Sequence, residues 1–157
     1  MDDKELFDEV RTFLSQWRTG SLATVDEAGQ PHAANVQFVA DGDLSLYFVS
    51  SISSAHSRHI AQDPYAAMTI YAHINDDEGP AAIHRLQLHG QCFAITDETD
   101  RIAATKRYLD RFAFIAQNEA LAARVKAEQF YVFRPTWLRW IDNRRGFGFK
   151  QERTLVT

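Results

Sequence analysis

Residues 20–50, GSLATVDEAGQPHAANVQFVADGDLSLYFVS, contain three short segments with the residue composition of strands. The segments SLATVD, PHAANVQFVA and LSLYFVS are separated by EAGQ and DGD, which contain the turn-forming residues glycine and aspartate. Short strand-like segments bounded by turn formers predict three strands joined by hairpins. An antiparallel sheet is therefore the expected centre of the fold.

Helical patterns flank these strands on both sides. Apolar residues recur every three or four positions in residues 3–17, which predicts an amphipathic helix, and Gly20 is placed to end it. After the three strands, SSAHSRHIAQDP predicts a short polar helix with Ser53 or Ser54 as its N-cap and Pro64 as its stop. A short helix is thus expected to interrupt the sheet.

The rest of the chain alternates between strand and helix patterns. YAAMTIYAHI and HRLQLHGQCFAIT predict strands, and Gly90 inside the second predicts a bulge or a close approach by another group. Residues 96–129 have helical spacing and predict two helices with a break near residues 114–118. FYVFRP and TWLRWIDN predict a last pair of strands, with Pro135 at an edge or in a turn.

Six or seven short strands with small helices between them exclude a doubly wound sheet, because parallel strands need a long crossover after almost every strand. We predict a mainly β protein with peripheral helices, of the α+β class, built on a six- or seven-stranded antiparallel barrel. A chain of 157 residues fits one domain. Its expected parts are an N-terminal helix in residues 1–20, barrel strands with a short helix in 21–95, helices in 96–129, and final strands with a tail in 130–150.

The composition limits the compartment and the partners. A net charge of −4 provides no general basic field, so neither nucleic acid nor an anionic membrane surface is an expected partner. No run approaches the roughly 20 apolar residues that a membrane-spanning helix needs, and the acidic start MDDKELFDEV is unlike a secretory signal. Cys92 is the only cysteine, which excludes an internal disulfide and a zinc site built on several thiolates. We therefore expect a cytoplasmic protein.

One segment has the chemistry of an anion site. FVSSISSAHSRH places hydroxyl and imidazole side chains and one arginine directly after a strand, at the start of the short helix. Free backbone N–H groups, the helix dipole and an arginine all favour negative charge there, so a phosphate is the expected guest. The alternative is a solvated capping loop, since serine is common at helix caps for local reasons alone.

Other kinds of chemistry have less support. His56 and His59 would share a helix face, but His84 and His89 lie on opposite faces of a strand, so we predict no metal site. The sequence has no hydrolase elbow, Walker loop or dinucleotide fingerprint. No catalytic acid, base or nucleophile can be assigned.

The end of the last predicted strand is rich in aromatic residues. Trp137 and Trp140 are three positions apart and must face opposite sides of a strand, so at least one should meet a ligand, another subunit or solvent. The segment IDNRRGFGFK, which begins directly after Trp140, adds two glycines, two phenylalanines and a pair of arginines.

The order of these segments resembles the flavin-binding split-barrel superfamily, whose best-known member is pyridoxamine phosphate oxidase. The resemblance extends from residue 21 to about residue 150 and is carried by the first hairpins, the turn SAHSRHIAQDP and the long strand LQLHGQCFAI with its central glycine. The closing IDNRRGFGFK is more similar to a smaller branch with a C-terminal DN-x-x-GFG motif than to the oxidase itself. The resemblance implies a split barrel that forms a homodimer.

The same resemblance implies flavin mononucleotide (FMN) as cofactor, held between two subunits with its ring along the second strand and its phosphate at the short helix. In this sequence the implied contacts are, for the ring, Asn35, Val36, Gln37 and Phe38; for the phosphate, Ser51, Ser54, His56 and Arg58; and, from the long strand or the partner chain, Gln87, Trp140, Asn143 and Arg144. The tail would then turn close to the ring at its glycines and cover it with aromatic and arginine side chains.

Two departures from the superfamily pattern bear on function. His56 stands where much of the superfamily has a lysine, and imidazole is a weaker cation at neutral pH, so looser or pH-dependent phosphate binding is expected. The second strand is uncharged at ANVQF, where the oxidase has paired basic residues, so oxidation of pyridoxamine phosphate itself is not expected.

We therefore predict a flavin-dependent oxidoreductase that acts on a small molecule, with a reduced nicotinamide among its candidate electron donors. One alternative is a non-catalytic protein of the same fold that binds flavin, deazaflavin or haem, for which a histidine would be the expected iron ligand. Another is a dimeric fold whose cofactor site has decayed.

Overall fold

The computed structural model describes residues 1–156 of the chain. In chain order its elements are α1 (Asp3–Gln16), β1 (Thr19–Val25), β2 (Pro31–Ala40), β3 (Leu46–Ser50), α2 (Ala55–Gln62), β4 (Tyr65–Tyr71), β5 (His84–Ala94), α3 (Glu98–Arg111), α4 (Ala113–Ala116), α5 (Glu119–Ala127), β6 (Gln129–Asp142) and β7 (Lys150–Thr154). Short 3₁₀ turns, Pro80–Ala82 and Asn143–Arg145, precede β5 and follow β6. No helix within residues 1–156 is long and apolar enough to span a membrane.

All paired strands are antiparallel and form one sheet in the order β3-β2-β1-β4-β5-β6-β7. β3 also pairs with the first half of β6, from Leu46 opposite Phe133 to Ser50 opposite Gln129, which closes six strands into a barrel. β7 pairs with the second half of β6 and lies outside this closure. The predicted antiparallel split barrel, mainly β with peripheral helices, is confirmed.

The core has two parts on opposite sides of the barrel wall. Inward-facing strand residues fill the barrel, and α1 packs onto this interior through Leu6, Val10 and Phe13. A second cluster lies outside the barrel, where Tyr108 of α3 packs against Phe130 of β6 with ring centroids 5.8 Å apart. Helices α3 to α5 therefore cover one outer surface and leave the rest of the sheet open.

The prediction of a final strand pair is wrong, because the single strand β6 runs through both segments. His89 pairs with Trp137 but Gly90 pairs with Pro135, so Thr136 is the extra residue of a β-bulge. A bulge is one of the few places inside a sheet that accept a proline, which has no N–H to donate. The predicted bulge or close approach at Gly90 is confirmed.

Three boundary predictions are also corrected. α1 ends at Gln16, and Gly20 lies inside β1, where a Cβ atom would come within 2.8 Å of Met68 Sδ. The helical segment after β5 contains three helices rather than two, because the chain breaks at Phe112 and again at Asn118, which caps α5. The strand β7 was not expected, since KQERT has no apolar face.

Candidate cofactor site in the split of the barrel

A gap opens between β2 and β3 on one side of the barrel, and we call it the split. The two strands pair only from Phe38 opposite Phe48 to Ala40 opposite Leu46, and β3 then continues along β6. In the described structure, residues 31–37 of β2 pair with β1 alone. One edge of β2 therefore faces the split.

This edge of β2 presents the backbone groups of alternate residues. Phe38 N donates to Arg18 O at 2.9 Å, so the backbone groups of Phe38 point toward β1. Successive residues of a strand direct their N–H and C=O groups to opposite sides, so those of Asn35 and Gln37 point into the split. The side chains of Val36 and Phe38 are buried in the barrel. Of the four residues predicted along the ring, Asn35 and Gln37 offer backbone groups to the split.

Beyond β3 the chain forms a hydroxyl-rich turn that leads into α2. Ser54 is the N-cap of α2, since its Oγ accepts from Ser57 N at 3.3 Å, and the same hydroxyl donates to Ser51 O at 2.9 Å. Arg58 lies in the first turn of the helix, is exposed, and donates from Nη1 to Ser53 O. The structure brings together the four predicted phosphate residues, Ser51, Ser54, His56 and Arg58.

Three histidines meet beside this turn. His56 Nε2 lies 2.7 Å from Ser50 Oγ, and His59 Nδ1 lies 2.8 Å from Thr24 Oγ1. The ring of His59 packs edge-on against that of His32 from β2, with centroids 5.6 Å apart. Burial lowers the pKa of His56, and the neighbouring His32 and His59 lower the pKa further. The imidazole of His56 is therefore uncharged at neutral pH and gains charge as the pH falls.

A row of polar side chains crosses the outer face of the sheet from the split. Ser21 Oγ donates to Asn35 Oδ1 at 2.9 Å, and Arg139 Nη1 donates to Gln87 Oε1 at 3.3 Å. Thr69 of β4 joins the two pairs, because it lies opposite both Ser21 and Gln87. Gln87 thus shares a face with Asn35 but lies three strands away. Ser21, Thr69 and Arg139 cannot be found from the sequence alone, because their alignment depends on the register of several strand pairs.

Trp140 lies on the other side of the sheet, inside the barrel. It is only 1% exposed, and its ring packs edge-on against Phe13 of α1 with centroids 5.0 Å apart. Its indole N–H donates to Glu9 Oε2 at 3.1 Å. Trp137 faces outward and stacks on His89, with ring centroids 4.4 Å apart. The two tryptophans face opposite sides as predicted, but the structure does not bring Trp140 to the split.

Asn143 and Arg144 hold the chain reversal that follows β6. Asn143 Nδ2 donates to Pro80 O at 2.9 Å, and Asn143 Oδ1 accepts from Gly148 N at 3.0 Å. Arg144 donates to both carboxylate oxygens of buried Asp142, at 2.7 and 2.9 Å. Burial acts to raise the pKa of Asp142, but the hydrogen bonds and charge of Arg144 outweigh it and lower the pKa. Both tail residues therefore have structural partners within their own chain.

The described residues contain neither a cluster of metal ligands nor a reactive thiol. Within residues 1–156, no group of three His, Cys, Asp or Glu side chains is placed to hold a metal ion. Cys92 is buried, and burial raises the pKa of its thiol to about 12, so it is not a thiolate at neutral pH. Eight of the twelve residues predicted to contact the cofactor lie on β2 or in residues 51–58.

A family model supports the sequence resemblance over most of the chain. The model described as pyridoxamine 5'-phosphate oxidase matches residues 6–141. The chain belongs to the pyridoxamine 5'-phosphate oxidase family. Two curated relatives are named pyridoxine/pyridoxamine 5'-phosphate oxidase: one from Ectopseudomonas mendocina, 27% identical over 123 residues, and one from Pseudomonas entomophila, 29% identical over 118 residues. The matches cover 78% and 69% of this chain and 54% and 52% of those oxidases, so the chain spans about half their length.

Solved structures with the fold of the oxidase family include proteins named for haem. The heme binding protein from Mycobacterium smegmatis superposes with a TM-score of 0.75 at 25% identity, over 94% of this chain and 57% of that protein. The heme storage protein HutZ from Vibrio cholerae superposes with a TM-score of 0.67 at 19% identity, over 82% of this chain and 88% of that protein. At 19% identity, the similarity to HutZ shows only that the two proteins share a fold.

Proposed function

We propose that the chain is a homodimeric FMN-binding protein that transfers electrons from a reduced nicotinamide to a small organic substrate. The observation that carries the proposal is the split, which has a strand edge on one side and a helix N-terminus with an exposed arginine beyond the other. These features match the two ends of FMN, because its planar ring needs hydrogen-bond partners along one edge and its phosphate needs cations. Membership of the oxidase family supports the same cofactor.

The turn before α2 fits a phosphate through three kinds of donor. The hydroxyls of Ser51 and Ser54, the backbone N–H groups of the first helical turn and the guanidinium of Arg58 lie in one short segment. The helix dipole adds partial positive charge at this end. Because Arg58 is exposed, its guanidinium can turn toward a bound phosphate without leaving a buried position.

The ring would lie along β2, where Asn35 and Gln37 direct backbone N–H and C=O groups into the split. Val36 and Phe38 would form the buried floor behind that edge. Bound flavin would supply the redox chemistry, while the residues of the chain bind the ring, orient it and exclude water. A deazaflavin would use the same edge, because the two rings have similar shapes.

We place the second subunit on the outer face of the sheet, beside the split. The strand register aligns the small side chains of Ala23, Ala33 and Ala67 there, which leaves the face flat. Val25 and Tyr65 extend this face and are 36% and 67% exposed. A second copy related by a two-fold axis is the commonest way to cover such an apolar surface, and it would also cover the ring.

Replacing Arg58 with Gln tests the phosphate end of the site. A charged hydrogen bond contributes about 1.5–3 kcal/mol, so we expect FMN to bind roughly 10- to 100-fold more weakly to Arg58→Gln. Riboflavin, which has no phosphate, should bind the variant as it binds the original chain. The measurement is quenching of flavin fluorescence, with the exposed Arg124→Gln on α5 as the matched control. Equal losses for both flavins would rule out a phosphate role for Arg58.

FMN affinity should rise as the pH falls from 8 toward 6. The pKa of His56 is lowered in the free protein, and a phosphate beside the imidazolium would raise it, so the complex binds more protons than the free protein. One unit of pKa difference gives up to about a tenfold gain in affinity. Riboflavin should show no such slope, and His56→Lys should flatten the slope for FMN. Parallel pH profiles for the two flavins would contradict this linkage.

Haem is the second candidate, and one feature of the outer face favours it. His89 is exposed, stacks on Trp137 at 4.4 Å between ring centroids, and pairs in register with Ala67 in the flat row of alanines. An exposed imidazole beside a flat apolar surface is a suitable axial ligand for a planar macrocycle. The haem-binding neighbour from Mycobacterium smegmatis adds support. A sharp absorption band in the violet that is lost in His89→Ala would favour this candidate over FMN.

A further inference from the structure

A cavity of about 350 Å³ lies on the outer face of the sheet, on the far side of Asn35 from the split. Its floor is formed by Ser21 and Thr69 of the polar row, and its walls include Trp17, Arg18 and Tyr71. The segment between α1 and β1 forms one side, so the cavity is built from the end of a helix and the faces of three strands. Among the residues that line this cavity, Asn35 is the one that the sequence analysis predicts to be a site residue.

The charge of this cavity is positive, in a chain with a net charge of −4. Its lining contains Arg18 and His73, and no Asp or Glu from the described residues. Within residues 1–156, neither Arg18 nor the adjacent Arg111 forms an ion pair, and Arg111 donates instead to Ser15 O at 2.6 Å. Burial lowers the pKa of Arg111, and the charge of Arg18 lowers it further. Arg111 does not line the cavity, so Arg18 is the guanidinium group there that favours an anion.

The remaining walls of the cavity suit a planar ring with a polar group. The Trp17 ring lines the cavity, and its Nε1 is buried without a hydrogen-bond partner among residues 1–156. Tyr71, which is 66% exposed, supplies an aromatic surface at the rim. The hydroxyls of Ser21 and Thr69 provide further hydrogen bonds at the floor.

We propose that this cavity binds a small aromatic carboxylic acid, with the carboxylate paired to Arg18 and the ring packed against Tyr71. Asn35 borders both this cavity and the split, so a bound acid would lie next to the flavin ring. That position beside a flavin rests on the proposed function, whereas binding of the acid does not. Arg18, the hydroxyls of Ser21 and Thr69, and an aromatic rim are the features that select this class of ligand.

Sodium benzoate is the probe, and the uncharged benzamide is its matched control. The full chain is labelled with ¹⁵N, and the indole N–H signals of its three tryptophans are followed during titration. Trp17→Phe assigns the Trp17 signal. We expect benzoate to shift that signal in a saturable manner, benzamide to bind at least about tenfold more weakly, and the Trp137 signal to stay in place. Sodium chloride at equal concentration should produce no saturable shift.

Two variants locate the carboxylate. Arg18→Gln should weaken benzoate about tenfold or more, while Arg124→Gln should leave its affinity unchanged. Thr69→Val, which preserves strand propensity, gives a second test at the floor and should also weaken benzoate. Equal affinity for benzoate and benzamide, no saturable shift, or full affinity in both Arg18→Gln and Thr69→Val would overturn the proposal.

A parallel FMN titration of the same samples separates this proposal from the cofactor assignment. Benzoate binding without FMN binding would support the acid pocket and contradict the proposed flavin function. FMN binding without benzoate binding would contradict the acid pocket and leave the cofactor assignment intact.

Discussion

Replacing Gly90 with Ala should unfold the barrel or leave it too unstable to purify. A Cβ atom at residue 90 would lie 2.2 Å from Arg134 O and 2.8 Å from Pro135 Cα, which are backbone atoms that cannot rotate away. The added methyl must therefore push β5 away from β6 at the bulge. We expect a loss of about 3 kcal/mol or more in the free energy of unfolding, measured by urea denaturation.

Gly42→Ala is the matched control for this substitution. A Cβ atom at Gly42 would meet nothing within 4 Å, so this variant should stay within about 0.5 kcal/mol of the original chain. If Gly90→Ala were as stable as Gly42→Ala, the bulge would not bring the two strands as close as the structure has them.

Replacing Trp140 with Ala should produce the second large loss of stability. Trp140 is the largest of the fully buried side chains, and its removal leaves a cavity against Phe13 and deprives Glu9 of a hydrogen bond. Truncation of a buried tryptophan costs about 3–5 kcal/mol. The outward-facing Trp137→Ala should cost clearly less in the same urea denaturation, because Trp137 is only half-buried.

The milder Trp140→Phe separates the stability of the chain from cofactor binding. Phenylalanine keeps most of the apolar volume in the barrel, so this variant should fold and bind FMN with the affinity of the original chain. A large and selective loss of FMN affinity in folded Trp140→Phe would contradict the placement of Trp140 away from the cofactor.

The strands were predictable wherever a short segment with strand-type composition is bounded by turn-forming residues. β2 spans Pro31–Ala40, the same ten residues that the pattern predicts. β6 was mistaken for two strands because Pro135 has no N–H, and only the bulge opposite Gly90 lets a proline remain inside the sheet. β7 escaped prediction because it lies outside the barrel and buries no apolar face, so its sequence needs no alternation.

Site residues that are neighbours along the chain could be predicted, whereas site residues that come together from separate strands could not. The proximity of Ser51, Ser54, His56 and Arg58 was predictable, because all four belong to one turn and one helix start. The polar row from Asn35 to Arg139 could not be predicted from the sequence. Each member of the row is set by which residue lies opposite it in the neighbouring strand.

The tail illustrates the limit of residue spacing as evidence. A separation of three residues shows that Trp137 and Trp140 face opposite sides, but not which of them faces the interior. That choice depends on the register of β6 against β5 and on the position of α1 over the barrel. Within IDNRRGFGFK, Gly148 with a φ of 83° and Arg144 paired with Asp142 serve the reversal from β6 into β7.

The most direct test of cofactor binding in the split is a titration of the purified, cofactor-free chain with FMN, riboflavin and haem, followed by absorption and fluorescence. FMN should bind at about micromolar concentration or below, more tightly than riboflavin, with one FMN per chain in a particle of two chains. Failure of both flavins to bind, or binding of haem alone, would contradict a flavin site between β2 and the turn before α2.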